Sequence, residues 1–546
     1  MNTVEGRPKL KGAEHRLLKG YGPLLGMVVV LLLVAFLVPT VQPEETTIRS
    51  SGGPTGSAAP GVDGVVTEGA AGSPGSGGAP AGATACAGPQ VPGDPYSPPC
   101  VEWGGGDNGG ATSRGVTADQ INVSVRMTEI GNIAELVKQF TGGRVQVNET
   151  EADVVRTANI LVEYFNKNFE FYGRKIALKF FDGQGDLAAE ALGGGQANAQ
   201  SDAVNAAQQQ HAFADALSLT QPYSEALVSQ KVISLNQLYF SKQWYAAHAP
   251  YAYSVVPDCT KVVEATADFA IKSLSADDGG AGTADFAGGD LKGRPRKIAL
   301  IAPDNPIYQD CVKSGIAKIE AAGIHLADVR SYPLDINSIT NTTPQNLVSA
   351  LAGEGITTVV MATDPVLPFF MTSKAELQKW YPEWILTGVG LTDADYVGQL
   401  MEQASWKRAA GVSFLAAQQP VRNSDAYNAY KSIDPDGSIA ELSGQLLYYA
   451  LEMAAIAIQG AGPNLTPETV RQGLLRYPGG TGQAGRWQFT AENPYTPNVD
   501  GRIVWWDPKA ISNYNGQPGS YRDNGERYPI GGFPAGKPPV FLDGAP

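Results

Sequence analysis

From residue 116 onward, segments with the two-residue apolar period of strands alternate with longer segments that have the period of helices. The segment "INVSVRM" at 121–127 alternates as a strand, and "EADVVRTANILVEYFNKN" at 151–168 carries an apolar stripe at helical spacing. The next segment, "KIALKFFD" at 175–182, again has strand character. Strands separated by helices need crossover connections, so this order predicts the α/β class, with parallel sheets covered by helices on both faces.

The alternation occurs in two runs, and two runs predict two α/β lobes joined near residues 253–258. The first run continues with a helix that starts at Ser201 as its N-cap, and the predicted elements are helix 201–210, strand 212–219, helix 222–230 and strand 231–236. The second run comprises helix 259–274, strand 296–304, helices 311–323 and 346–355, strand 356–364, helix 373–381 and strand 383–389. Beyond it, we predict a strand at 411–419, a long helix at 439–460, a late hairpin formed by 485–490 and 501–508, and an irregular tail.

The beginning of the chain has a different character. Residues 21–38 contain no charge and follow a basic segment, so we predict a cytoplasmic N-terminus (1–20), a transmembrane anchor (21–41) and export of the rest. A cleaved signal peptide is the alternative, and it exports the same residues. Residues 42–85 are rich in Gly, Ala, Ser and Pro, a composition that predicts a flexible linker.

Charge and cysteine content limit the partners. The net charge of −14 argues against nucleic acid, because phosphates require a basic face. Four histidines and four cysteines show no metal-ligand spacing, so neither a metal nor a cofactor is predicted. An even number of cysteines in an exported chain suits two disulfides, and we predict pairing of Cys86 with Cys100 and of Cys259 with Cys311. Four free thiols are the alternative.

The strand ends indicate where a ligand site should lie. In open parallel sheets, ligands bind outside the carboxyl ends of the strands. Here these ends carry mostly small hydroxyl and amide side chains. Asp182, Asp304 and Asp364 could form a carboxylate pair, but aspartate after a strand is commonly a turn or N-cap residue.

No nucleophile with a positioned base is evident, so we predict a binding protein and not an enzyme. An enzyme of the cell envelope on an α/β scaffold is the weaker alternative. Tyr223, Tyr239 and Tyr245 could stack on a ligand or simply pack in the core.

Several motifs resemble extracytoplasmic solute-binding proteins of the branched-chain amino acid receptor type, the type I periplasmic binding proteins that serve ABC transporters. "PPCVEWGGGDNGGATSRGVTADQI" resembles the segment that precedes the first strand in actinobacterial members. The other motifs are "FFDGQGDLAAEA", "TQPYSEALVSQKVISLNQ", "KIALIAPDNPIYQDCVKSGIAKIEAAG", "GITTVVMATDP" and "WILTGVG".

This resemblance covers about residues 86–475 and implies two Rossmann-like lobes joined by three crossovers, with a hinge that closes on a ligand. The implied divisions are lobe 1 at 86–256 with a disulfide loop at 86–100, lobe 2 at 257–411, a return to lobe 1 at 412–475, and a C-terminal hairpin and tail at 476–546.

The resemblance also implies the ligand contacts. The positions that match the family's contacts are Ser218, Thr220, Gln221, Asn236, Gln237, Leu238, Tyr308, Thr363, Asp364 and Val389. Leu238 stands where the family has a hydroxyl, and Val389 stands where it has the acid that holds an ammonium group. Because a buried ammonium without a counter-charge is costly, an α-amino acid would need Asp364 or Asp393 as a substitute.

The function implied is capture of a small solute (amino acid-like, an amide or a small acid) outside the cytoplasm for an ABC transporter permease. A membrane-tethered ligand sensor, or a binding or assembly protein of the same fold without a transport role, is the alternative. The expected location is the cell membrane, with a single pass through residues 21–41.

Overall fold

The computed structural model describes residues 79–128, 149–191, 193–275, 280–335, 337–364, 366–440 and 443–538. The N-terminal segment 1–20, the anchor 21–41 and nearly all of the linker 42–85 lie outside these residues. Within the described ranges, no helix has both the length and the apolar character needed to cross a bilayer.

The first lobe is built on a five-stranded parallel sheet. It follows a small antiparallel hairpin, β1 (Thr84–Pro89) and β2 (Pro99–Glu102), and its strand order is β4-β3-β5-β6-β7. The strands are β3 (Gln120–Met127), β4 (Lys175–Asp182), β5 (Ala214–Asp215), β6 (Ile233–Leu235) and β7 (Ala252–Tyr253). The helices between them are α1 (Glu151–Asn168), α2 (Leu187–Ala191), α3 (Gln196–Gln208), α4 (Gln221–Ser229) and α5 (Lys242–Ala247).

The second lobe is built on a larger mixed sheet with the order β16-β15-β12-β11-β10-β8-β9. Its parallel strands are β8 (Ile298–Pro303), β9 (Asp328–Tyr332), β10 (Thr358–Met361), β11 (Glu383–Leu386) and β12 (Ala409–Ser413). Its helices are α6 (Cys259–Phe269), α7 (Pro306–Ala321), α8 (Thr343–Gly353), α9 (Val366–Leu377), α10 (Asp395–Gly398) and α11 (Gln403–Trp406).

After β12 the chain returns to the first lobe and then comes back. Helices α12 (Asp425–Ile433) and α13 (Gly444–Ala461) pack on α1, and α14 (Pro467–Arg476) packs on α13. The short hairpin of β13 (Gly480–Gly482) and β14 (Gly485–Trp487) follows. The chain then enters the second sheet as the antiparallel strand β15 (Asp500–Ile511), paired with β16 (Pro518–Arg522) and β17 (Tyr528–Pro529).

Three segments therefore connect the lobes, and we call them the crossovers: residues 254–258, 414–424 and 488–499. They are bonded to their surroundings and to one another. The Ser254 amide donates to the Tyr495 carbonyl at 3.0 Å, which joins the first crossover to the third. The Arg502 guanidinium of β15 donates to the Leu415 carbonyl of the second crossover at 3.1 Å.

The predicted elements with strong periodicity are confirmed. The helix at 151–168 and the strand at 175–182 have the predicted bounds. Thr150 explains the start of α1, because its hydroxyl accepts from the Asp153 amide while Asp153 bonds back to the Thr150 amide, a capping box.

Some predictions about secondary structure were wrong. Helix α3 begins at Gln196 after Gly195, whose φ of 72° ends the preceding turn, so Ser201 is inside the helix and not its cap. The segment at 501–508 does not pair with 485–490 but lies between β12 and β16 with both faces buried. The tail after residue 510 is not irregular throughout, since it contributes β16 and β17 to the second lobe.

Both predicted disulfides, Cys86–Cys100 and Cys259–Cys311, are present. The first closes the β1–β2 hairpin. The second ties α6 to α7, the first two helices of the second lobe.

Candidate binding site between the lobes

Cavities lie between the two lobes, at the carboxyl ends of their parallel strands. Two adjoining cavities of about 40 and 80 Å³ share Leu238 of the first lobe and Tyr308 of the second. We call this pair the Tyr308 cleft. Seven of the ten predicted contacts line it, namely Thr220, Gln221, Leu238, Tyr308, Thr363, Asp364 and Val389.

The second-lobe wall of the Tyr308 cleft offers polar groups in two different states. The carboxylate of Asp364 already has hydrogen-bond partners within the protein. It accepts from the Tyr332 hydroxyl at 2.5 Å and caps α9 through the Val366 and Leu367 amides. The Thr363 hydroxyl, in contrast, is buried and has no hydrogen-bond partner in the part of the chain that the structure describes. A buried hydroxyl without a partner costs about 1–3 kcal/mol, so a ligand that bonds to it recovers that cost.

Tyr308 keeps its proton at neutral pH. Burial, together with the nearby Asp364 carboxylate, raises the pKa of Tyr308 to about 12. The residue lies just inside α7, which begins at Pro306 with Asn305 as its N-cap. Its ring therefore faces the cleft from a rigid element, with a hydroxyl that is able to donate.

The first-lobe wall rests on a buried ion pair that the sequence interpretation missed. Arg126 of β3 makes two parallel bonds of 2.8 Å to Glu190, and a third bond to Asp202 at 3.1 Å. Glu190 also accepts from the Thr220 hydroxyl at 2.5 Å. The Thr220 proton is thus already donated, and its hydroxyl presents only lone pairs to a ligand. The sequence feature that could have indicated this ion pair is an arginine within an apolar strand.

The remaining three predicted contacts lie beneath the cleft surface. Ser218, Asn236 and Gln237 are 0% exposed, and none of them lines a cavity between the lobes. The Ser218 hydroxyl donates to the Leu235 carbonyl at 2.7 Å, and the side-chain amide of Asn236 donates to the Ala216 carbonyl at 2.8 Å. Their bonds hold β5 and β6 together behind Leu238.

A larger cavity of about 170 Å³ lies on the other side of Tyr239, next to the crossovers. We call it the crossover cavity. It is lined by residues of all three crossovers, including Val256, Phe414 and Asn498, and by Gly388 and Asp393 of the second lobe. Gly388 has a φ of 76°, and a Cβ there would lie 3.2 Å from the Asp393 carboxylate, so glycine permits this close approach.

The aspartates considered as a carboxylate pair and the tyrosines considered for stacking on a ligand do not come together in one site. Asp182 and Asp304 are exposed, and Asp364 is a helix cap. Tyr223 packs under the Arg126 guanidinium, 3.7 Å from ring centroid to Cζ, and Tyr245 stacks on Tyr495. In the part of the chain that the structure describes, no cluster of His, Cys, Asp or Glu could hold a metal ion.

Comparison with known proteins gives a family model and a set of similar folds. The model described as "Periplasmic binding protein" matches residues 140–509. The described structure resembles an ABC transporter solute binding protein from R. palustris in complex with 4-hydroxybenzoate, at 11% identity and a TM-score of 0.52, over 75% of this chain and 97% of that one.

Two further ABC transporter substrate-binding proteins are similar at this level. The one from Aeropyrum pernix has 11% identity and a TM-score of 0.51, over 76% of this chain and 96% of that one. The one from Sphaerobacter thermophilus has 14% identity and a TM-score of 0.50, over 76% and 98%. No curated protein matches the sequence. At these identities the structures show a shared fold.

Proposed function

The chain belongs to the periplasmic binding protein family, and we propose that it captures a small solute between its lobes and delivers it to an ABC-type importer. Family membership implies a place outside the cytoplasm. The finer location, a single-pass anchor at residues 21–41 with the lobes outside, is part of this proposal.

The observation that supports the proposal best is the unpartnered Thr363 hydroxyl in a cleft walled by both lobes. A ligand there touches Leu238 of the first lobe together with Tyr308 and Thr363 of the second. Because such contacts are complete only when the lobes approach, the ligand favours the closed form by the difference in its affinity for the two forms.

The chemistry of the Tyr308 cleft favours an uncharged polar group on a small apolar body. Tyr308 and Thr363 offer hydroxyls, while Asp364 and Glu190 are satisfied by their own partners. Leu238 and Val389 supply apolar contact where a charged or hydroxyl group was expected from the resemblance. An amide or a small protonated acid satisfies these groups, and we propose this class of solute for the cleft.

A thermal-shift screen of the full-length protein against small amides, acids and amino acids tests the proposal. A solute at 100 times its Kd adds about 2.7 kcal/mol of stability, so a true ligand raises the unfolding temperature clearly. We expect Thr363→Val to weaken this solute at least tenfold, because the variant keeps the shape and removes the hydroxyl.

A matched control is Thr387→Val, which removes a buried hydroxyl that already donates to the Met361 carbonyl at 3.1 Å. This variant should lose some stability and keep the ligand response. Absence of a response to every solute would refute solute capture. A response that both Thr363→Val and Tyr308→Ala leave unchanged would refute its placement in the Tyr308 cleft.

A further inference from the structure

The crossover cavity is separate from the Tyr308 cleft and is the larger of the two. Tyr239 is the residue that lines both, and it stands between them. The first crossover contributes Val255, Val256 and Pro257 to its lining. The second contributes five residues between Phe414 and Val421, and the third contributes Asn498. An occupant of this cavity therefore contacts every connection between the lobes.

Three of the residues that line this cavity carry buried polar atoms without hydrogen-bond partners among the described residues. Asp393 is 1% exposed, and within the described residues neither of its carboxylate oxygens has a partner at ordinary hydrogen-bond geometry, although the Ser413 hydroxyl and the Leu415 amide favour its charged form. The Asn498 side-chain oxygen and the Trp487 indole nitrogen are also buried and unpartnered. Since buried polar groups are almost always hydrogen-bonded, three such residues around one cavity indicate a missing partner, and acceptors outnumber donors among them.

The charge around the cavity has one sign. Among the described residues, no Lys, Arg or His lines it, while Asp393 does. The Arg502 guanidinium, which interacts electrostatically with Asp393, is bonded to Asp523 and to the Leu415 and Ala416 carbonyls. An anionic occupant would meet the Asp393 carboxylate without a free guanidinium to bind, so anions are disfavoured and a cation is favoured.

The walls of the cavity are largely aromatic. The ring-bearing residues are Tyr239, Tyr396, Phe414, Tyr449, Trp487 and Tyr514. The Tyr449 hydroxyl donates to a further carboxylate, that of Asp425, at 3.0 Å. Aromatic faces attract cations and also bury apolar surface, and both effects suit an amine carried on an apolar body.

We propose that the crossover cavity is a second binding site, for a small cation with an aromatic or aliphatic body and a primary amine that bonds to Asp393. The Asn498 oxygen accepts a further N–H of the same head group. An α-amino acid fits poorly, because the cavity offers its carboxylate no cationic partner and one unpartnered indole donor.

The groups that face Asp393 do not compete with it as proton acceptors near neutral pH. They are Arg502, Tyr239, Tyr396 and Tyr521. Burial raises the pKa of all three tyrosines, so they remain neutral, and the arginine remains charged. Asp393 is therefore the group among them whose protonation changes the charge that an amine meets near neutral pH.

Calorimetric titration of the full-length protein at pH 7.5 with three isosteric probes tests the proposal. The probes are 2-phenylethylamine (cation), 2-phenylethanol (neutral) and phenylacetate (anion). We expect the amine to bind at least tenfold more tightly than the alcohol, and phenylacetate not to bind. Because this contrast is measured on the unaltered protein, it does not depend on the folding of any variant.

Variants then locate the site. Asp393→Asn should reduce amine affinity at least tenfold and leave the alcohol nearly unchanged, whereas Thr363→Val should leave the amine unchanged. Equal binding of all probes, a preference for phenylacetate, no binding of the amine, or amine binding that survives Asp393→Asn would overturn the proposal. Loss of amine binding in Thr363→Val alone would place it in the Tyr308 cleft, so failure here is distinguishable from failure of solute capture.

Discussion

Asp393 carries a buried charge whose desolvation outweighs the help of its neighbours, so removing the charge should stabilise the free protein at neutral pH. Burial raises the pKa of Asp393 from 3.8 to about 6, although the Ser413 hydroxyl and the Arg502 guanidinium oppose the rise. This rise corresponds to roughly 3 kcal/mol in favour of the protonated acid. Between these two pH values the native state binds more protons than the unfolded state, so the contribution of Asp393 to stability falls as the pH rises through this window.

Asp393→Asn removes the charge at every pH and keeps the shape. At pH 7.5 we expect the variant to be more stable than the natural protein by about 1–3 kcal/mol, since the amide still has some desolvation cost of its own. At pH 4 the advantage should fall below about 1 kcal/mol, because most of the carboxyl groups in the native protein are then protonated. Calorimetric unfolding at both pH values measures the difference.

Asp395→Asn is the matched control, two residues away and also buried. Its carboxylate accepts from the Ser512 and Ser520 hydroxyls at 2.6 and 2.9 Å and from the Tyr521 amide at 2.8 Å. The amide cannot accept all three bonds, so this variant should lose about 1–3 kcal/mol. A destabilised Asp393→Asn, or an advantage that is the same at both pH values, would refute the reasoning. A charge that lowers stability is expected where function requires it.

Three further predictions concern the pH dependence of amine binding, the Arg126 ion pair and the first disulfide. The affinity for 2-phenylethylamine should fall up to tenfold per pH unit below about pH 6, because Asp393 becomes protonated there. Titrations between pH 5 and 8 measure this fall, and an affinity that does not change with pH would contradict the role of Asp393 as the partner of the amine. Arg126→Ala should cost about 3–5 kcal/mol in thermal unfolding, because it leaves Glu190 buried and unpaired, and a neutral effect would show that water reaches the pair. Replacing Cys86 and Cys100 by serine should cost about 3 kcal/mol, given a separation of 14 residues, and unchanged unfolding would show that the hairpin is constrained by other contacts.

The sequence predicted best the elements whose periodicity is long and uninterrupted, such as α1 and β4. The starts of α7 and α9 were placed too late, at residues 311 and 373, although Pro306 and Pro368 lie close to the observed starts. Both prolines lie in the first turn, where no backbone donor is needed. The pairing of β15 was missed because its partner β12 is far away in the chain, whereas a hairpin is the local solution.

The predicted ligand contacts also fall into two groups, those that line the Tyr308 cleft and those that lie beneath its surface. Tyr308 and Thr363 follow strands and come together because parallel strands end at one edge. Ser218, Asn236 and Gln237 follow strands too, but they are buried and bonded to the segment beside the neighbouring strand, which alternation cannot reveal. The crossover cavity has no local signature at all, since it is assembled from residues that are distant in the chain.

Hydrogen–deuterium exchange of the full-length protein, with and without a solute identified by the thermal-shift screen, tests solute capture between the lobes most directly. Binding in the Tyr308 cleft should protect peptides from both lobes, namely 217–240, 303–312 and 360–372, as well as the crossovers. Protection confined to a single lobe, or none at saturating solute, would contradict capture between the lobes.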